Sequence, residues 1–575
     1  MTGIAAEKGL PLKWSDKENV RWRVELPGPG NSSPIVWGDR VFLAQYLAKD
    51  NRRTLMCLDR ATGKLIWQSG LTYNEEEPTQ ENNPYCSGSP ATDGERVYVC
   101  FGSAGVSAYD FQGKEAWHHD LGKLNHMFGN AVSPVLYGDL CILNYGPDEK
   151  ARLVALDKKT GQLVWEAQPP AVEPSEQEQP MRGGPGGGPG RGPRGGGNFG
   201  PGMMVAPQIL AQADKNGDQA LSKEEFTGLA DEWMDKMDAD KAGKLSQEQF
   251  TQRLKDVLPP PQRPGGRESG GGDGGPPGGG GRAFGPAGFV GPVLFAAADM
   301  DKDGWLTRSE LKATFEKWFT AWDSDKSGSL NEDKLREGFN GALPRPNFGG
   351  PGGGRGPGGR GGGSPNGSWS TPLVLRSGSR DELIVSFPYR LASYDPKTGQ
   401  QFWLARGLGG SMYTSPLWGD GVIVAMSSGM GGGPAIAVKP GGSGDVTETQ
   451  RLWRLDRTSG RIGSGVIFEG HIYGIADTGV AECFDLKTGD RLWSERLQGQ
   501  AGRNSSWSSM ILADGKIYIP NQSGEVFVVR ASPQFELLAT NSVGEPTNAS
   551  LAAAQGDLFM HTDKSLWCFA SLPKP

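Results

Sequence analysis

Six cysteines in 575 residues are too few for a disulfide framework, and no two of them are adjacent. Histidine is scarcer still, with five residues. No stretch approaches the roughly 20 consecutive apolar residues of a membrane helix. Basic charge is not in excess: 59 Lys and Arg face 66 Asp and Glu, a net charge of −7. Nucleic-acid binding, which wants a basic footprint, is therefore not expected. Met1 to Leu10 has no apolar h-region, so no cleavable export signal is expected there. What the chain does have is 89 glycines and 42 prolines, nearly twice their average share. Such an excess serves linkers or tight turns, and here it serves both.

An internal repeat decides the fold. A short apolar strand ends in Asp, turns through Thr-Gly and leads to Trp. Leu55 to Asp59 is followed by Thr62-Gly63 and Trp67, and Val106 to Asp110 by Gly113 and Trp117. Leu153 to Asp157 leads to Thr160-Gly161 and Trp165, Leu391 to Asp395 to Thr398-Gly399 and Trp403, and Ala481 to Asp485 to Thr488-Gly489 and Trp493. Two copies are degraded: Ala435 to Val438 before Trp453, and Val526 to Val529 before Ser532-Pro533. The chemistry suits a strand–turn–strand unit. Asp bonds the turn backbone, Gly takes the left-handed conformation, and Trp offers an apolar face to the next unit.

Spacings of 45, 50 and 48 residues separate Trp22, Trp67, Trp117 and Trp165, which are blade lengths for a four-stranded propeller. Trp165 to Trp403 spans 238 residues, so an insertion divides the third blade from the fourth. Leu566 to Phe569 lacks an outer partner, and Val20 to Val24 is an outer strand with no inner ones. The N-terminal strand is therefore predicted to complete the last of eight blades. The repeat resembles the PQQ-type repeat of quinoprotein propellers. The resemblance implies a PQQ-binding-like propeller, in a group that includes outer-membrane assembly lipoproteins sharing the repeat without the cofactor.

The insertion carries the clearest chemistry. An EF-hand calcium loop needs oxygen ligands at positions 1, 3, 5, 7 and 9 and a bidentate Glu at 12, with Gly at 6. The third of four candidate loops satisfies this with Asp299, Asp301, Asp303, the Trp305 carbonyl, Thr307 and Glu310. The first offers Asp214, Asn216, Asp218, the Ala220 carbonyl, Ser222 and Glu225, but Gln219 replaces Gly and predicts strain. The second, 238–249, has Ala242 at position 5 and Gln249 at 12, and the fourth, 323–334, has Lys334 at 12. Losing the carboxylate at 12 removes two oxygens, and an ammonium there repels the ion. Calcium is expected in the first and third loops, with little or none in the others. Starts 24 residues apart predict pairing of the first loop with the second and of the third with the fourth.

Other residues read as structural. Cys57, Cys483 and Cys568 stand where other repeats have Ala108, Ala155, Ser393 and Ala437, so they read as buried thiols. Cys100 and Cys141 fall in strands. Cys86 falls in a loop and reads as the one exposed thiol. His118 and His119 are adjacent on a strand and point to opposite faces. Asn31-Ser32-Ser33-Pro34, Ser87-Gly88-Ser89-Pro90 and Tyr413-Thr414-Ser415-Pro416 recur at blade starts and read as turns. Trp507, with Asn504 to Ser506, is a candidate to line a central pocket. Tracts such as Arg191 to Gly195 lack aromatics and read as linker rather than RNA-binding segments.

These observations predict an all-β eight-bladed propeller with an inserted α-helical EF-hand region on Gly/Pro-rich linkers. Expected boundaries are blades 1–3 with the closing strand at 11–166, a linker at 167–202, an EF-hand pair at 203–257 and a linker at 258–283. A second pair at 284–341, a linker at 342–367 and blades 4–8 at 368–575 follow. The expected role is a calcium-binding, non-catalytic scaffold whose propeller face takes a protein or polymer partner. The resemblance implies two alternatives, a PQQ-dependent dehydrogenase and a cell-surface polymer-binding propeller. Many such dehydrogenases carry a vicinal Cys-Cys pair, which this sequence lacks, and no catalytic or PQQ-binding residue is assigned. The resemblance also implies a periplasmic or extracellular location, with the cytoplasm as the alternative in the absence of a visible signal.

Overall fold

The computed structural model describes residues 3–172 except 29, 81, 127 and 149, and 201–258 except 217, 219 and 239. It further describes 291–342 except 292, 293 and 324, and 367–571 except 429–431 and 501–503. The glycine-rich stretches 173–200, 259–290 and 343–366, including Arg191 to Gly195, and the strain at Gln219 lie outside the described residues. The chain divides into two units, Met1–Gln179 with Gly356–Pro575, and Pro180–Arg355.

The first unit is an eight-bladed β-propeller. In its first blade Ile35–Trp37, Arg40–Leu47, Arg52–Asp59 and Leu65–Thr72 form an antiparallel sheet in chain order. Later blades open at Ala91, Val135, Leu373, Leu417, Val466, Ile511 and Ala552. The eighth is completed by Val20–Glu25, which pairs with Ser565–Ala570 and sets Trp22 opposite Cys568. The predicted closure is therefore present. One addition was not foreseen: Ile4–Ala5 joins the seventh sheet in parallel, with Ile4 opposite Leu512.

The register explains each residue type in the repeat. The small position lies directly across the strand pair from the tryptophan: Cys57 opposite Trp67, Ala108 opposite Trp117, Ala155 opposite Trp165 and Cys483 opposite Trp493. A large side chain there would compete for the same space. The Asp carboxylate accepts from backbone N–H groups two and three residues on, as Asp157 does from Lys159 at 3.0 Å and Thr160 at 2.8 Å. The turn glycine then receives the tryptophan of the preceding blade. A methyl group added at Gly113 would lie 2.6 Å from the Trp67 ring, and one at Gly161 2.5 Å from Trp117. The same indoles donate to backbone carbonyls of the next blade, Trp67 to Phe111 at 2.9 Å and Trp117 to Lys158 at 2.8 Å. Trp403 faces a degraded turn and donates instead to Glu382 Oε2 in its own sheet, at 2.7 Å.

The recurring serines at blade starts form a relay. The N–H of Ser33 donates to the Ser89 hydroxyl, and that of Ser89 to Ser133, each at 3.0 Å. Thr371 donates to Ser415, Ser415 to Ser464, Ser464 to Ser509 and Ser509 to Ser550. Ser550 returns to Ser33. The turn role is thus a blade-to-blade stitch.

All six cysteines are buried, and this corrects the expectation for Cys86. Its loop folds inward, where Cys86 packs with Phe42, Leu55 and Val97. Burial pushes its thiol up to about 12, so it is not the exposed thiol expected.

In the second unit, Lys223–Met237 and Arg308–Trp322 pack across one aromatic core, with Phe226 and Phe315 stacked at 5.1 Å. The loop strands cross-pair: Ala220–Ser222 of the first loop with Ser329–Asn331 of the fourth, and Lys244–Ser246 of the second with Trp305–Thr307 of the third. Pairing of sequence neighbours, expected from the 24-residue spacing, is therefore overturned. The amphipathic helices of both halves bury their apolar faces in a single core, and that core selects the distant partners. Each pair still joins one complete loop to one damaged loop.

Candidate calcium centre

The third loop is built between the helix before it and Arg308–Trp322. Lys302 with φ 61° and Gly304 with φ 85° turn the backbone so that alternate side chains face inward. Oxygens of Asp299, Asp301 and Asp303 all lie within 4.8 Å of one another. Asp303 N–H donates to Asp301 Oδ1 at 3.1 Å and Trp305 N–H to Asp303 Oδ1 at 2.8 Å. Gly304 N–H donates to Asp299 Oδ2 at 3.2 Å, while Asp299 Oδ1 is buried with no hydrogen-bond partner. A shielded carboxylate oxygen of that kind costs free energy unless a cation meets it.

Glu310 is already aimed at this loop. Thr307 caps the following helix through a reciprocal box: its hydroxyl accepts from Glu310 N–H, while Glu310 Oε2 accepts from Thr307 N–H at 2.9 Å. Glu310 Oε1 accepts from Met300 N–H at 3.3 Å. Desolvation raises the Glu310 carboxyl, but hydrogen bonds from Thr307 outweigh it and hold the group below its ordinary value. The carboxylate is ionised and positioned before any ion arrives.

The first loop repeats this arrangement with one amide among its donors. Asn216 Nδ2 donates to Asp218 Oδ2 at 3.0 Å, and Ala220 N–H to Asp218 Oδ1 at 2.9 Å. Ser222 N–H donates to Glu225 Oε2 at 2.9 Å and Lys215 N–H to Glu225 Oε1 at 3.2 Å. The bond from Ser222 N–H and then that from its hydroxyl hold the Glu225 carboxyl below its ordinary value. The predicted residues Asp214, Asn216, Asp218, Ala220, Ser222 and Glu225 thus belong to one loop with the same oxygen-rich chemistry as the third. Six ligand residues, one of them a bidentate carboxylate, offer seven oxygens, within the six to eight that calcium takes.

The other two loops depart from it in different ways. In the second, Asp238 is engaged by N–H groups of Ala242 and Gly243 at 2.9 and 2.8 Å, and Gln249 caps its helix. Arg253 donates to Asp240 Oδ2 at 2.6 Å. In the fourth, the Lys334 ammonium enters the loop. Its Nζ lies 3.3 Å from Asp323 Oδ1, 2.5 Å from Asp325 Oδ1, 2.6 Å from Ser327 Oγ and 3.0 Å from the Ser329 carbonyl. The sequence reading anticipated repulsion by Lys334 and missed this occupancy. The signal was present, because positions 1, 3 and 5 of the loop keep their oxygens while position 12 carries a flexible cation.

In the propeller, the buried carboxylates tie strands together. Glu77 accepts from Arg53 at 2.7 Å, Glu482 from Arg461 at 2.5 Å and Asp557 from Arg60 at 3.0 Å. Glu545 accepts from Arg23 at 2.9 Å and from the Trp567 indole at 3.1 Å. Trp507, expected to line a central pocket, is half-buried beside the relay residue Ser509.

A family model described as outer membrane protein assembly factor BamB matches residues 15–179 and 390–564, more than half of the chain. The chain belongs to that family. An EF-hand family model matches residues 293–315, which contain the third loop. Among solved structures, BamB from Moraxella catarrhalis is similar at 10% identity and a TM-score of 0.47, covering 96% of this chain and 97% of that one. A computationally designed protein, Ika8, is similar at 9% identity and a TM-score of 0.44, covering 95% and 97%. A europium-containing methanol dehydrogenase is similar at 10% identity and a TM-score of 0.42, covering 99% and 96%. No curated protein matches the chain. Among the described residues, no helix of this family member is long and apolar enough to cross a membrane.

Proposed function

We propose that this BamB-family chain is a calcium-binding, non-catalytic scaffold whose propeller takes a protein partner outside the cytoplasm. Asp299, Asp301, Asp303, the Trp305 carbonyl, Thr307 and Glu310 hold one calcium ion. Asp214, Asn216, Asp218, the Ala220 carbonyl, Ser222 and Glu225 hold a second. The observation that carries the calcium assignment is the buried, unpartnered Asp299 Oδ1 beside two further carboxylates. Ion pairing of the buried propeller carboxylates supports the scaffold reading, because groups spent on joining strands are not free for acid–base work.

Calorimetric titration of the full chain tests this, first with calcium and then with PQQ. Two calcium ions per chain and no heat with PQQ is the expected result. Stoichiometric PQQ binding would replace the scaffold with the dehydrogenase alternative. Absence of calcium binding would remove the ion assignment.

A further inference from the structure

The fourth loop fails as a calcium loop for a reason visible in its geometry. Four oxygens, from positions 1, 3, 5 and 7, converge on the Lys334 ammonium at 3.3, 2.5, 2.6 and 3.0 Å. These are the positions from which an EF-hand loop donates to its ion. The lysine side chain is only 20% exposed, and its partner Asp323 12%. In the second loop the first acid is held in the same way, Asp238 by the N–H groups of Ala242 and Gly243, but the cation there is Arg253, which meets Asp240 alone at 2.6 Å.

The ammonium also connects to the first loop. The Ser329 carbonyl that contacts Lys334 belongs to the residue opposite Ser222 in the loop–loop strand pair. Ser222 is the residue whose N–H and hydroxyl both fix Glu225, each at 2.9 Å. A continuous path therefore runs from Lys334 through Ser329 and Ser222 to the position-12 carboxylate of the first loop.

We infer that Lys334 is the resident cation of the fourth loop, holding it in the filled conformation without calcium and presetting the first loop for its ion. The inference rests on the proposal that the first loop binds calcium. It assigns Lys334 a positioning role: it sets how many ions the unit takes and how tightly the first loop binds. An ammonium cannot dissociate from the chain, so this half of the pair stays ordered at any calcium level.

The test uses the full chain carrying Asp299→Asn, so that calcium heat comes from the first loop alone. Lys334→Gln removes the charge and nearly keeps the length. It should weaken calcium binding by about five-fold or more and lower the calcium-free melting of the helical signal. Lys334→Glu completes position 12 and should gain one calcium ion per chain, a result that repulsion by the lysine alone would also give, so the calcium-free melting of Lys334→Gln is what separates a resident cation from a merely repelling one. An unchanged affinity and calcium-free melting in Lys334→Gln, or no additional ion in Lys334→Glu, would overturn the inference. If the Asp299→Asn parent binds no calcium, the first-loop assignment fails separately. The calcium-free melting of Lys334→Gln then still decides the role of Lys334.

Discussion

The backbone N–H of Ser550 donates to the Ser33 hydroxyl at 3.0 Å, joining the last blade to the first. The same seam holds Trp22, which donates to the Arg60 carbonyl at 2.7 Å and covers Gly63. The two contacts differ in weight. Ser33→Ala removes one hydrogen bond and should cost about 1 kcal/mol. Trp22→Ala removes a buried indole from the seam and should cost about 3–5 kcal/mol. Denaturant unfolding followed by tryptophan fluorescence measures both. A larger loss in Ser33→Ala than in Trp22→Ala would show that the seam is held by the relay rather than by the ring.

Two glycines separate the cost of backbone conformation from that of contact. Gly138 and Gly113 both have positive φ, 54° and 85°. Nothing lies within 4 Å of a methyl group placed at Gly138, whereas one at Gly113 would lie 2.6 Å from the Trp67 ring. Gly138→Ala should cost about 1–2 kcal/mol, the left-handed penalty alone. Gly113→Ala should cost about 1–3 kcal/mol more, because the ring must shift. Thermal unfolding of the two variants side by side checks the difference.

The same glycines show how far the sequence carries. The Asp–Thr-Gly–Trp pattern exposed the blades because one local motif repeats, and closure by Val20–Glu25 followed from an outer strand left without inner partners. The four loops were legible because their oxygen-bearing residues are local in sequence. Which loop pairs with which was not, because Leu221 meets Leu330 and Leu245 meets Leu306 through a core shared by distant helices. The Lys334 ammonium was read as a repelling charge, since spacing alone does not show where a flexible side chain ends. Cys86 was misread for a related reason: loops with no repeat signal can still fold inward.

His561 should make the propeller acid-sensitive. Its ring is buried, Nδ1 lies 2.7 Å from the Ser32 carbonyl, and burial lowers its pKa to about 4 despite that contact. The unfolded chain protonates this histidine near 6.5 while the folded one resists. The unfolded state therefore binds more protons, and stability falls as pH drops from about 6.5 to about 4. The loss at the lower end is on the order of 3 kcal/mol. His561→Asn should flatten that part of the pH profile, read as melting temperature between pH 7 and pH 4. A profile as steep as that of the unaltered chain would assign the sensitivity elsewhere.

The first and third loops should respond to acid over a lower range. Glu225 and Glu310 sit below their ordinary pKa because serine and threonine groups hydrogen-bond their charged forms. A depressed carboxyl contributes stability above its unfolded value, near 4.3, and loses it as pH falls through the folded one. Protons therefore do not compete with calcium at neutral pH, and affinity should stay flat down to about pH 5 before falling. Glu310→Gln keeps the cap geometry that Gln249 shows in the second loop, but removes the charge and one oxygen ligand. It should weaken binding at the third loop by at least the roughly 10–100-fold that outer-shell partners of a metal are worth. Glu225→Gln should do the same at the first loop alone. Calorimetry of the two variants then assigns each ion to its loop. If either variant loses both ions, the two strand pairs are coupled through the shared aromatic core, because no ligand is common to both loops.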